Sequence, residues 1–312
     1  MRAATSALRV SWADALMFGV ALIWGTSFSI MKVVLEQIPP FVFNALRFPL
    51  AIGLLGIAWY LQDTSVKRLV KPDIGALAVI GVVGYVGYQI FFVSGLARTT
   101  ASNSSLILAT IPVFVALINA LRRTERLGGM AWIGVLLSIV GIGLIVTGSG
   151  GVISLGVATV RGDLLIVGAA AAWATYTVAV APYLARHAAL GVTVVSLGAA
   201  TVVLVLLGLP QFWTVGWASL PLLVWGGILY TGLLGVAGAY LLWNIGVKRL
   251  GGTRAAVYSN LVPFIAVATA AFTLHEEITL LHVAGGAVIL LGISLTRRHR
   301  HQLRAGLSEA SV

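Results

Sequence analysis

The chain has 312 residues, 59% of them hydrophobic and only 9% charged, with a mean hydropathy of +1.02. Soluble domains carry about 25% charged and 45–50% apolar residues, and a fold of this size leaves too much surface facing solvent to hide the excess, so the solvent is lipid. The net charge of +11 comes from basic residues scattered between apolar runs, which excludes nucleic acid as a partner, and the lack of cysteine removes disulfides, thiolate metal sites and cysteine nucleophiles.

In chain order, charged or Gly/Pro-rich breaks delimit ten apolar runs at 13–34, 40–61, 73–95, 100–121, 130–148, 163–185, 190–209, 219–247, 253–274 and 279–296. A bilayer core of about 30 Å takes roughly 20 apolar residues per helix, so each run predicts one crossing. Open sheets would leave unpaired backbone in lipid, and the alternation of a transmembrane barrel is missing. The fold class is therefore an all-α, polytopic membrane protein. The first run follows Arg2 and Arg9 but is as long as a full crossing and has no small-residue cleavage context, so it reads as a retained helix. With both termini in the cytoplasm, the inner side collects Arg2, Arg9, Lys67, Arg68, Lys71, Arg122, Arg123, Arg126, Arg186, Lys248, Arg249, Arg254, Arg297, Arg298, Arg300 and Arg304. The outer side keeps Lys32, Arg98 and Arg161. That asymmetry obeys the positive-inside rule and requires an even number of crossings; anionic membrane lipid is the expected neighbour of the basic face.

The sequence repeats itself. An offset of 149 pairs Asp14 with Asp163, Trp24 with Trp173 and Thr26 with Thr175. An offset of 151 pairs Gly81, Gly84 and Gly87 with Gly232, Gly235 and Gly238, Arg98 with Arg249, Pro112 with Pro263, Glu125 with Glu276, and Gly134 and Gly141 with Gly285 and Gly292. Five crossings is an odd number, so the repeat over 163–297 is inverted relative to that over 13–148. A connector is expected at 149–162 and a cytoplasmic tail at 298–312, with residues 1–297 otherwise forming one bundle. Inverted repeats characterise many secondary transporters, whose substrate site lies near the midplane.

Ten helices in five-plus-five inverted repeats, Trp24-Gly25-Thr26-Ser27-Phe28 in the first helix, Arg47-Phe48 in the second, Pro112 and Pro263, and Glu125 and Glu276 before the fifth and tenth helices form an ordered set. It resembles the drug/metabolite transporter superfamily, and within it the EamA-type exporters, which include exporters of amino acids, aromatic ones among them. The resemblance covers residues 13–297 and implies export from the cell across the bacterial inner membrane. It departs from internal symmetry at Arg47, which has no basic counterpart in the seventh helix.

Trp24 and Trp173 each lie ten residues past an aspartate, about 15 Å deep at helical rise, whereas membrane tryptophans usually sit at the interface. Ser27 and Tyr176 share their helix faces, and Tyr85, Tyr88 and Tyr240 add rings with polar tips, suited to an amphipathic solute. Tight packing is the competing reading. For Trp243 and Asn244, near a helix end, interface anchoring is preferred. Gly81, Gly84, Gly87, Gly232, Gly235 and Gly238 are expected to be packing seams or hinges. Pro112 and Pro263 are expected to kink their helices, freeing carbonyls near Thr110, Ser259 and Asn260. Arg47, about 10 Å into the membrane at helical rise, is costly unless paired, and attracts a carboxylate or anchors helices through backbone carbonyls. No Asp or Glu is placed mid-membrane, so facilitated diffusion is expected. No catalytic, metal or cofactor motif is found, and neither an ATP-driven pump nor an enzyme is expected.

The leading expectation is thus a carrier of amino acids or similar metabolites, with a small-molecule substrate and an open oligomeric state that allows a monomer. Its cavity would be lined by the first, third, fourth, sixth, eighth and ninth helices. A drug, lipid or nucleotide-sugar carrier on the same scaffold, or a non-transporting scaffold or sensor, are the alternatives.

Overall fold

The computed structural model describes residues 12–62, 71–123, 128–148, 157–250, 258 and 260–309, and every regular element among them is helical. Helix α1 is Trp12–Leu35 and α2 is Pro40–Tyr60. Lys71–Gly81, a π-helical stretch Val82–Val86 and Gly87–Leu96 form one rod, α3. Helix α4 is broken into Ala101–Leu108 and Ile111–Leu121. Then come α5 (Gly129–Gly148), α6 (Val157–Arg186) and α7 (Ala189–Phe212). Helix α8 joins Leu222–Leu229, a π-helical stretch Tyr230–Gly238 and Ala239–Leu250. Last are α9 (Leu261–Thr273) and α10 (Leu280–Glu309). Eight of the described helices are long and apolar enough to cross a membrane; Leu261–Thr273 and Leu280–Thr296 are apolar but shorter. Many large apolar side chains, such as Ile57, Val83, Leu136 and Val202, face outward, as a lipid-embedded surface requires.

Several boundaries differ from expectation. Helix α6 begins at Val157, inside the predicted connector 149–162, of which 149–156 lies outside the described residues. Gly162 had suggested a loop, but it is a contact glycine: a Cβ there would lie 2.8 Å from the Thr99 nitrogen. The backbone of α10 runs on to Glu309 through the predicted tail, whose Arg, Gln and Leu residues all favour helix. Pro112 and Pro263 do not lie in helix middles. Pro112 sits in the first turn of the second α4 segment, where its missing N–H costs nothing, and the turn Ala109–Thr110 breaks the rod before it. Pro263 lies in the first turn of α9. The π-helical stretches, absent from the sequence reading, occupy matching places in the two repeats.

Contacts show the inversion directly. A Cβ on Gly134 would strike Gly292 and Thr296, one on Gly141 would strike Ile289 and Gly285, and one on Gly148 would meet Leu281. As numbers rise along α5 they fall along α10, so these two equivalent helices run antiparallel. The offset of 151 turns the pair Gly134/Gly292 into Gly285/Gly141, which is the other contact of the same seam. A pseudo-two-fold axis therefore passes between α5 and α10. The same operation relates Gly84 against Tyr176 to Gly235 against Ser27, and Gly81 against Ser196 to Gly232 against Arg47. Helices of one repeat thus pack on helices of the other, α1 on α9 and α8, and α6 on α4 and α3.

Candidate functional site

The symmetric close approaches put α1, α3, α6 and α8 around a shared axis, and their aromatic side chains meet there. The Tyr85 ring, 2% exposed, lies 4.6 Å from Tyr176, 5.6 Å from Trp173 and 6.5 Å from Tyr240, centroid to centroid. The Tyr176 hydroxyl donates to that of Tyr85 at 3.1 Å. Trp173 also touches Tyr88 (5.0 Å) and Tyr240 (6.1 Å), and Tyr88 stacks on Phe92 at 5.2 Å. From the other side Trp24 packs on Tyr240 at 6.0 Å and Trp243 at 5.5 Å. Its Nε1 donates to the Gly235 carbonyl at 3.0 Å. That carbonyl belongs to the π-helical stretch of α8, where irregular backbone hydrogen bonding commonly marks a functional position.

Six predicted residues are thereby brought together: Trp24, Tyr85, Tyr88, Trp173, Tyr176 and Tyr240. Ser27 faces the same seam at Gly235 and bonds the Ile23 carbonyl. Thr110, buried, donates to Ile107 at the break in α4, and Asn260 caps α9 without a side-chain bond to it; neither joins a ring contact. Ser259 lies outside the described residues, as does the side chain of Asn244. Trp243, read from its place near a helix end as an interface anchor, meets the Trp24 ring at 5.5 Å. Among the glycines, Gly81, Gly84, Gly232 and Gly235 are seams, but Gly87 and Gly238 are not. A Cβ on Gly87 would meet nothing, and one on Gly238 only its own helix.

Arg47 reaches this cluster from α2, a helix not expected to line it. It is 3% exposed. Its anchors are side chains and not backbone carbonyls: Nε donates to Asn44 Oδ1 (3.1 Å), Nη2 to Gln89 Oε1 (2.8 Å) and Nη1 to Met31 Sδ (2.9 Å). The guanidinium lies 4.4 Å from the Phe43 centroid, and the Tyr88 and Tyr240 hydroxyls are within its electrostatic reach. All these partners are neutral. Among the described residues no carboxylate comes within ion-pair distance of Arg47. Beside it Asn44 Nδ2 is buried with no acceptor. A buried cation without a counter-charge and an unmatched donor are each expensive in low dielectric. The two-fold partner of Arg47 is Ser196, held in the equivalent place against Gly81, so positive charge enters on one side of the axis only. Sequence reasoning missed Asn44, Gln89 and Met31. The offset pairing Gln89 with Tyr240 was the signal that could have placed Gln89 beside the cluster.

Two aspartates at helix starts prove deeply buried. Asp163, 0% exposed, lies in the second turn of α6 because that helix starts early, and it accepts from Thr99 Oγ1 and Asn103 Nδ2. Asp14 accepts from the Tyr258 hydroxyl at 2.7 Å. Among the described residues no group of three metal-ligating side chains occurs.

The sequence profile of the EamA-like transporter family matches this chain twice, at residues 11–147 and 160–298. The chain is 24% identical over 279 residues to an uncharacterized transporter, YyaM, of Bacillus subtilis, covering 89% of this chain and 91% of that one. It is 29% identical to an uncharacterized transporter of Archaeoglobus fulgidus (90% and 96% covered). It is also 29% identical over 275 residues to a protein of Streptantibioticus cattleyicolor named "Probable terminal-alkyne amino-acid exporter" (88% and 90% covered). A protein known from a crystal structure shares the fold, with a TM-score of 0.63 at 23% identity, over 94% of this chain and 98% of that one.

Proposed function

The chain belongs to the EamA-like transporter family, and we propose that this multi-pass transporter of the plasma membrane exports amino acids or closely related metabolites, binding them at the aromatic cluster beside Arg47. The unneutralised guanidinium next to the orphan Asn44 amide carries this reading. A substrate carboxylate satisfies both groups at once, as a bidentate guanidinium contact plus one amide hydrogen bond. The Tyr and Trp faces then receive the ammonium by cation–π attraction and cover an apolar side chain. The similarity to a named amino-acid exporter supports the same substrate class. Nucleoside-diphosphate sugars, with two phosphates, are poorly matched to one buried cation.

The rings fill the region between the repeats, so substrate entry requires them to part. Alternating access then amounts to a rocking of one repeat against the other about the two-fold axis. The carboxylates of Asp14, Asp73, Asp163 and Glu276 bond groups away from the rings, which favours facilitated diffusion over proton coupling. Counterflow of radiolabelled amino acids by the purified protein in liposomes tests the proposal. Exchange is expected for amino acids and not for their decarboxylated amines. Exchange of amines alone, or of neither, contradicts it, and uphill movement driven by a pH gradient contradicts the uniport.

A further inference from the structure

Asp14 and Asp163 occupy equivalent positions of the two repeats, and both are buried where the first helix of one repeat meets the fourth helix of the other. Asp163 on α6 holds the start of α4 through Thr99 Oγ1 and Asn103 Nδ2, which reaches both carboxylate oxygens at 3.0 and 3.1 Å. Asp14 on α1 holds Tyr258, two residues before the cap of α9. Because α1 and α6 are separated by five crossings, their first turns lie at opposite faces. We propose that the two carboxylates are paired gate latches, each fastening one face of the membrane by tying repeat to repeat, so that the cycle opens one while the other stays closed. The proposal rests on the transport reading above, but not on its substrate.

The surroundings of Asp163 agree with that role. Around Asp163 the fastening is multiple. Lys32 Nζ donates to the carbonyls of Leu96, Ala97 and Thr99, joining α1 to the end of α3. Glu276 accepts from the Ala101 and Ser102 nitrogens, capping α4 from the α9–α10 turn. His282 Nε2 bonds Asn103 Oδ1 at 3.0 Å. Since Asn103 Nδ2 serves Asp163, Nε2 is the donor, and Nδ1 accepts from the Thr279 nitrogen at 3.0 Å. Four elements from both repeats thus converge on residues 96–103. All are contacts of short polar groups, which break or form with displacements of an ångström or two, unlike the glycine seams that fix α5 to α10. A hydrogen-bonded carboxylate buried at such a junction stabilises the closed face and is left unsatisfied when that face opens, unless water entering the opened cleft hydrates it. That last step makes opening possible without a proton.

The chain has no cysteine, so a single Ser27→Cys reporter in the central seam can be labelled with an impermeant maleimide in right-side-out and in inside-out vesicles. Asp163→Asn is expected to raise labelling from outside about tenfold, the shift set by one lost hydrogen bond to a charged acceptor, and to lower it from inside. Tyr258→Phe, which removes only the hydroxyl serving Asp14, is expected to do the reverse. Opposite shifts support paired latches. Shifts in the same direction, or none in protein that elutes as a single folded species, overturn them. Should Asp163→Asn fail to fold, Thr99→Val removes one donor to the same carboxylate and is read by the same criteria. Counterflow by the unsubstituted protein separates the two proposals, since opposite labelling shifts in the variants beside absent amino-acid exchange in the unsubstituted protein would leave the latches and remove the substrate assignment.

Discussion

Trp173 touches Tyr85, Tyr88, Tyr176 and Tyr240, so at the scale of single residues it is the ring whose loss disturbs most of the site. Trp173→Ala is expected to abolish exchange and to cost about 3–5 kcal/mol of stability, read as a lower unfolding temperature in detergent. Trp24→Ala removes the ring on Tyr240 and Trp243 and the donor to Gly235, with the same sign; normal exchange by both variants would return the cluster to a packing role. Tyr176→Phe removes the donor to Tyr85 and is expected to cost about 0.5–1.5 kcal/mol. The equivalence of the two tryptophans was legible from the offset of 149 between the repeats. The environment of Arg47 was legible only in part: Asn44 lies three residues before it on α2, whereas Gln89 and Met31 come from two other helices and are brought to it by tertiary packing.

At the scale of elements the two-fold relation makes paired predictions. A Cβ on Gly84 would lie 2.5 Å from Tyr176 Cδ2 and 2.7 Å from its Cβ, whereas on Gly235 it meets Ser27 Oγ at 3.3 Å. Gly84→Ala must therefore displace an aromatic ring and α6 with it, at about 1–3 kcal/mol, while Gly235→Ala needs only a serine rotamer. Thermal unfolding of the two variants should separate them, and equal losses would contradict the packing described. The spans were legible because a bilayer demands long apolar runs. The π-helical stretches Val82–Val86 and Tyr230–Gly238 were not, since one extra residue per turn leaves no trace in a run that is apolar all round. The break in α4 was half legible: Pro112 announced an irregularity, and its place as a helix start only became clear from the preceding turn.

At the scale of the molecule, duplication sets equivalent helices about one axis, and the proposed site takes its chemistry from the departures from symmetry. Arg47 stands opposite Ser196, and Tyr176 opposite Ser27, so positive charge enters from one repeat only, and under the proposed function that cation receives the carboxylate of a zwitterion. The inversion was legible from offsets of 149 and 151 together with an odd number of crossings. What the offsets could not show is which equivalent positions touch across the axis. Reporter fusions should place both termini in the cytoplasm, as the basic residues require; termini on opposite faces would contradict an even number of crossings.

The account depends most on Arg47 as the group that recognises a carboxylate. Amino-acid counterflow by Arg47→Ser, which copies the residue of the opposite repeat and leaves no buried charge to destabilise the fold, tests it most directly. Loss of exchange in a protein that still folds is the predicted result; exchange at the wild-type rate would contradict it.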